Sequence, residues 1–243
     1  QGKSDKQDDR GGDHEFGSVH PVLFLFSRFG LGFFCAGIVG VFKLGFIRGL
    51  DRGFERYYGL ILANFVIAGQ PILLGAVVGI LFVEERDEGT LLALQATPLS
   101  LRSFLGYRLL TAMGLSVVLS LIGVALAGLV SISLLELLAS AVLASLAVPV
   151  VALAYAVYIQ NKVQAVTAIK LVQAWGGLPV LLYFAPTPWQ WIGSVPGPLY
   201  YPMRLFWSAA EGRAEWWLIL PGLVIQGAAV LWLLRRLERT VYS

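Results

Sequence analysis

The sequence predicts an all-α integral membrane protein with six transmembrane helices and a short surface helix between spans two and three. Three observations predict it. The chain has 243 residues, of which 57% are hydrophobic and 14% charged, against roughly 45–50% and about 25% in a soluble domain. The mean hydropathy is +0.74. The apolar residues fall in runs long enough to cross a bilayer, which takes about 20 residues as a helix.

The first segment, residues 1–20, is polar and glycine-bearing, with Asp5, Asp8, Asp9, Asp13 and Glu15 among Lys3, Lys6 and Arg10. It cannot bury a core, is expected to be disordered, and lacks the positive-then-apolar order of a signal peptide. The remainder, 21–243, reads as one transmembrane domain. Span one is placed at about 29–47. Gly32, Ala36 and Gly40 form a small-residue stripe, and Lys43 lies near one end, where its ammonium can snorkel. Span two, 57–83, is uncharged but carries Asn64, Gln70 and Pro71. Pro71 should loosen the helix near its middle, because it lacks a backbone donor and its ring clashes with the preceding turn. Gly75 and Gly79 make a GxxxG, expected to let two copies of the chain approach closely.

The connector Glu84–Leu101 cannot lie in hydrocarbon, since Glu84, Glu85, Arg86, Asp87 and Glu88 would each cost roughly 2.5–3.5 kcal/mol or more there. Asp87 can cap a short helix, with Glu88 beside its positive end. Leu91 and Leu94 share a face. Thr97-Pro98 should stop that helix and start the next, with Thr97 as N-cap and Pro98 in the first turn.

Span three is placed at about 104–130 and span four at 137–159, joined by a short turn as an antiparallel hairpin, with Pro149 kinking span four. Residues 160–170 are polar, so span five is confined to 171–184, short for a crossing. Residues 185–215 concentrate Pro, Trp and Tyr. They read as a re-entrant or interfacial hairpin, because Trp and Tyr favour the membrane interface. Span six, 216–234, ends in Arg235, Arg236 and Arg239.

Basic residues set the orientation. Arg86, Arg102, Arg108, Lys162, Lys170 and the arginine tail mark the cytoplasm, which puts both termini inside. Arg48, Arg52 and Arg56, in the loop between spans one and two, disagree with that assignment.

The run E-G-T-L-x-x-L-x-x-T-P-L, Glu88 to Leu99, resembles the connector between spans two and three of ABC-2 type permeases. The resemblance extends from about Gly59 to the C-terminus. It includes Asn161–Leu171, the P-T-P-W-Q-W at Pro186–Trp191, and Pro202–Trp207. Within that family the chain looks most like the permease subunits of fluoroquinolone-type bacterial drug exporters, with haem- or lipid-exporting permeases as the nearest competitors. The resemblance implies that the connector is a cytoplasmic coupling helix seated on a separate ATP-hydrolysing subunit, with Glu88, Gly89, Thr90, Leu91, Leu94, Thr97 and Pro98 making the contact. It implies two copies of that ATPase, a second permease half, identical or homologous, and a plasma (inner) membrane location. ATP and Mg would sit on the partner, with no cofactor in this chain, which has no G-x-x-x-x-G-K-[ST]. Spans two and five line the path in the family, which points here to Asn64, Phe65, Gln70, Gln173 and Trp175. The residues alone leave open whether those amides line a path or only bond between helices.

Other classes fare worse. An intramembrane enzyme or an ion-coupled transporter needs acids, bases or metal ligands in the spans. The six spans contain no His, Asp or Glu, and one Cys with two His in the whole chain offers no metal cluster. No catalytic or metal-binding residue is therefore assigned. The formal charge of +3 suits contact with membrane lipid headgroups and gives no reason to invoke nucleic acid. A membrane scaffold stays open at this point.

Overall fold

The computed structural model describes residues 57–87, 101–194, 197 and 199–241, all within one compact unit. Span one at 29–47, the polar segment 1–20, the Arg48/Arg52/Arg56 loop and the connector helix at 88–98 lie outside the described residues. Among the described residues every regular element is a helix. They are α1 (Tyr58–Leu62), a π-helical turn (Ala63–Ala68), α2 (Gly69–Asp87), α3 (Leu101–Ala127), α4 (Leu134–Ser145), α5 (Ala147–Tyr158), α6 (Lys162–Gly176), α7 (Leu178–Tyr183), α8 (Thr187–Ser194), α9 (Tyr200–Ala210), a 3-10 turn (Trp216–Leu218) and α10 (Ile219–Val241). Among the described residues, five stretches are long and apolar enough to cross a membrane: Tyr58–Arg86, Leu105–Ala127, Leu134–Tyr158, Val163–Tyr183 and Trp216–Leu237. The protein is an all-α membrane protein.

Contacts at the helix ends fix the topology. Arg108 near the start of α3 pairs with Glu85 at the end of α2. Arg86 reaches the carbonyls of Ala156 and Ile159 at the end of α5. Arg236, late in α10, lies over Tyr158 at 5.1 Å. These termini therefore share one end of the bundle, the Glu85 end. Tyr183, closing α7, meets Trp207 of α9 at 5.3 Å at the other end. Successive crossings are thus antiparallel.

Pro71 acts as the sequence suggests. The turn preceding it is widened to a π-helix over Ala63–Ala68, relieving the clash between the proline ring and the carbonyl four residues back. The hydroxyl of Ser120 on α3 donates to the carbonyl of Val66 in this turn, at 3.5 Å. Pro149 has a similar consequence. Leu146 interrupts span four between α4 and α5, and the buried Gln226 of α10 donates to the Leu143 carbonyl beside the break at 3.1 Å.

Two expectations meet a different structure. The helix that carries span five does not begin at 171. Asn161 caps α6 by accepting from the Gln164 N–H at 2.9 Å, so the polar stretch is helical from Lys162 and, with α7, reaches a full crossing length. Nor do Gly75 and Gly79 present a face to a second copy. They seat α2 directly on α5. A Cβ at Gly79 would lie 2.6 Å from the Tyr155 Cβ, and one at Gly75 would lie 2.8 Å from the Val148 carbonyl oxygen. Gly79→Val should therefore destabilise the protomer itself, by about 1–3 kcal/mol. The check is thermal unfolding in detergent, where the drop in midpoint should be the same at high and low protein concentration.

The hairpin after α7 is not peripheral. In α9, Tyr200, Met203, Leu205 and Phe206 are fully buried, and the helix packs against α4, α1 and the π-turn. This hairpin closes the hydrophobic core at the end remote from Glu85. The outer surfaces of α3, α6 and α10 instead display large apolar side chains such as Leu110, Leu171 and Leu223, as lipid contact or a membrane partner requires.

Candidate functional site

The expected coupling residues Glu88, Gly89, Thr90, Leu91, Leu94, Thr97 and Pro98 lie outside the described residues, but the helices that carry the connector are in view. α2 runs on past the apolar run and includes Glu84, Glu85, Arg86 and Asp87 in its final turn. Acidic side chains at a helix C-terminus face the negative end of the dipole. Two arginines offset that cost. Arg108 ion-pairs with Glu85, both side chains being partly buried, and its guanidinium lies 5.7 Å from the Phe82 ring. Arg86 caps the last carbonyls of α5, a favourable use of a cation at a helix C-terminus. The end of α2 is thus tied to α3 and α5 together. Sequence reading took Arg86 and Arg108 only as markers of the cytoplasmic side. Their pairing depends on which helices are neighbours, which spacing along the chain does not reveal.

The candidate path residues divide into two groups. Asn64 and Phe65 belong to the π-turn and Gln70 to the first turn of α2. Gln173 and Trp175 belong to α6. Spans two and five do touch: Gly176 lies against Ile72, where an added Cβ would overlap the Ile72 Cδ1. Trp175 turns inward and packs against three of the apolar clusters. Asn64 and Gln70 are half-buried. Phe65, 43% exposed, and Gln173 face outward. Trp175 therefore holds the fold together, while Phe65 and Gln173 lie on the surface of this single copy.

At the opposite end, sequence reading missed a charge cluster. Arg204 forks onto Glu215, with Nε to Oε2 at 3.1 Å and Nη2 to Oε1 at 3.4 Å. It also donates to the Tyr200 hydroxyl at 2.7 Å and to Gln190 Oε1 at 3.2 Å, and its guanidinium lies 4.6 Å from the Trp191 ring centre. One side chain thereby joins α8, α9 and the approach to α10. Burial pushes the Tyr200 phenol up in pKa against the opposing pull of Arg204. The signal available in the sequence was an arginine and a glutamate inside a segment otherwise rich in Trp, Tyr and Pro.

Comparison with known proteins places this architecture. The family model for the fluoroquinolones export permease protein Rv2686c-like group matches residues 21–234. The chain belongs to this permease family. Two relatives from Mycobacterium tuberculosis illustrate the match. Fluoroquinolones export permease protein Rv2686c, from strain ATCC 25618 / H37Rv, is 31% identical over 193 residues, covering 77% of this chain and 74% of the relative. Protein MT2760, from strain CDC 1551 / Oshkosh and carrying the same description, gives the same identity and coverage. No solved structure matches. Membership bears out the likeness read from the coupling segment and the P-T-P-W-Q-W run. It makes the chain a multi-pass membrane permease, a transport subunit in kind.

Proposed function

We propose that this permease is the membrane-spanning subunit of an ATP-binding cassette exporter that moves an amphipathic small molecule or lipid-like substrate out of the cytoplasm. The observation that carries the reading is the family match over residues 21–234, with relatives named as fluoroquinolone export permeases. ATP and Mg are held by a separate ATPase subunit, present in two copies and docked on residues 88–98. A second permease half, identical or homologous, completes the pathway. The protein sits in the plasma (inner) membrane with both termini and the Glu85 end in the cytoplasm, as the positive-inside rule favours.

The tie from the end of α2 to α3 and α5 supports this reading. Coupling requires that movement of the docked segment pass into the spans, and the Glu85–Arg108 and Arg86–α5 contacts provide rigid links. The outward placement of Phe65 and Gln173 fits a pathway completed only by a second copy. The test is co-expression with the ATPase subunit followed by affinity purification in mild detergent. The ATPase should co-purify at one copy per permease. Recovery of a folded permease without the ATPase, under conditions where the ATPase itself is folded, would remove the proposal.

A further inference from the structure

At the end of the bundle remote from Glu85, a partly enclosed cleft of ≈ 250 Å³ lies between α1, α7 and α9. We propose that it is a binding site for a cationic group carried on an apolar body.

Tyr183 and Trp207 supply aromatic surface, and Leu60 and Val130 extend the apolar lining. The α1 wall is brought close by Gly59, where a Cβ would lie 3.2 Å from the Ala210 Cβ. Among the described lining residues, Glu211 is the one that carries a formal charge.

Glu211 stands at the C-cap of α9, its N–H bonded to the Trp207 carbonyl at 3.0 Å. The helix ends there because Gly212, at φ 75°, takes the left-handed conformation. The N–H of Arg213 bonds Ser208 at 2.8 Å and that of Gly212 bonds Ala209 at 2.9 Å. This is the Schellman arrangement, and it holds Glu211 in a fixed position. A carboxylate at a helix C-terminus adds to the negative end of the dipole, so the position is unfavourable for stability and favourable for a cation. α7 also presents its C-terminal end at the cleft, and Val130 follows the end of α3. The N-terminal first turn of α1 opposes them with Gly59 and Leu60, but carries no charged side chain. Aromatic rings around a carboxylate are the chemistry that recognises organic ammonium groups.

Among the described residues, one internal cation competes. Arg213 Nη2 lies 2.7 Å from Glu211 Oε2, but its side chain is 78% exposed. An exposed pair of this kind is worth little, so a ligand whose charge is delivered with apolar surface displaces it.

The test uses the purified full chain in detergent and isothermal titration with benzyltrimethylammonium. Neopentylbenzene, its neutral counterpart of the same shape, is the control. Glu211→Gln should weaken binding of the cation about five-fold, and Arg213→Ala should tighten it by a similar factor. Both residues are exposed at a helix end, so both variants fold, and thermal unfolding confirms it. The neutral compound should bind all three proteins equally and more weakly than the cation binds the wild type. Competition by dihexanoylphosphatidylcholine distinguishes the source of the cationic group: displacement assigns the site to a lipid headgroup, and no displacement assigns it to a soluble amphiphile. Absence of cation binding to the wild type, or equal binding by wild type and Glu211→Gln, overturns the proposal. The readout is binding without ATPase or transport, so this result and the exporter reading stand or fall separately.

Discussion

Changing Leu91 and Leu94 together to aspartate should abolish drug-stimulated ATP hydrolysis by the reconstituted complex while leaving the permease inserted and folded. In the coupling reading these two leucines, three apart in sequence, supply the apolar face that seats on the ATPase. Burying one leucine is worth roughly 1.5–3 kcal/mol, so losing both removes about 3–6 kcal/mol of docking and places two carboxylates against an apolar groove. In that reading the segment lies outside the hydrocarbon, so the spans should be unaffected. Pull-down of the ATPase and drug-stimulated hydrolysis in vesicles read the effect, beside a thermal-stability control. Normal docking and turnover in a stable double variant would return residues 88–98 to an ordinary surface connector.

The second large effect concerns the hairpin between α7 and α10. Arg204→Met should destabilise the protein by about 2–4 kcal/mol, because it leaves Glu215 without its partner and removes one of the bonds that tie α8 to α9. A double variant, Arg204→Met with Glu215→Leu, should recover most of the loss. Breaking a half-buried ion pair costs more than replacing both members by apolar groups. Thermal unfolding in detergent measures both. If the double variant is no more stable than the single one, the loss is one of aromatic stacking on Trp191 and not of charge pairing.

Much of this fold is written in the sequence at the level of hydropathy. The five described crossings follow the apolar runs, and the hairpin turn before α4 carries a capping box, with Ser133 and Glu136 each satisfying the other's N–H. Pro71 and Pro149 announced their distortions. The start of α6 was hidden because Gln160–Lys170 is polar, yet Asn161 followed by Gln164 is a readable N-terminal cap. What could not be read is partner choice between helices. GxxxG states that something approaches closely and not what. Here the partner is α5 of the same chain, with Tyr155 lying over Gly79. The candidate site shows the same division. The coupling grammar read at 88–98 rests on local caps and spacing alone, and those residues lie outside the described ones. The Glu85–Arg108 clamp, the Arg204 cluster and the Glu211 cleft join residues that only the packed bundle brings together. In chain order the clamp spans 23 residues and the Gln226–Leu143 bond 83.

The central claim is that transport by this permease is driven by ATP hydrolysed on a separate subunit. It is tested most directly by drug accumulation in inverted membrane vesicles containing the permease with or without its ATPase subunit, with a fluoroquinolone as the first probe because the relatives are named for that class. The account predicts uptake that requires ATP, Mg and both subunits, and that persists when the proton gradient is collapsed. Uptake by the permease alone, or uptake abolished by collapsing the gradient while ATP is present, would contradict it.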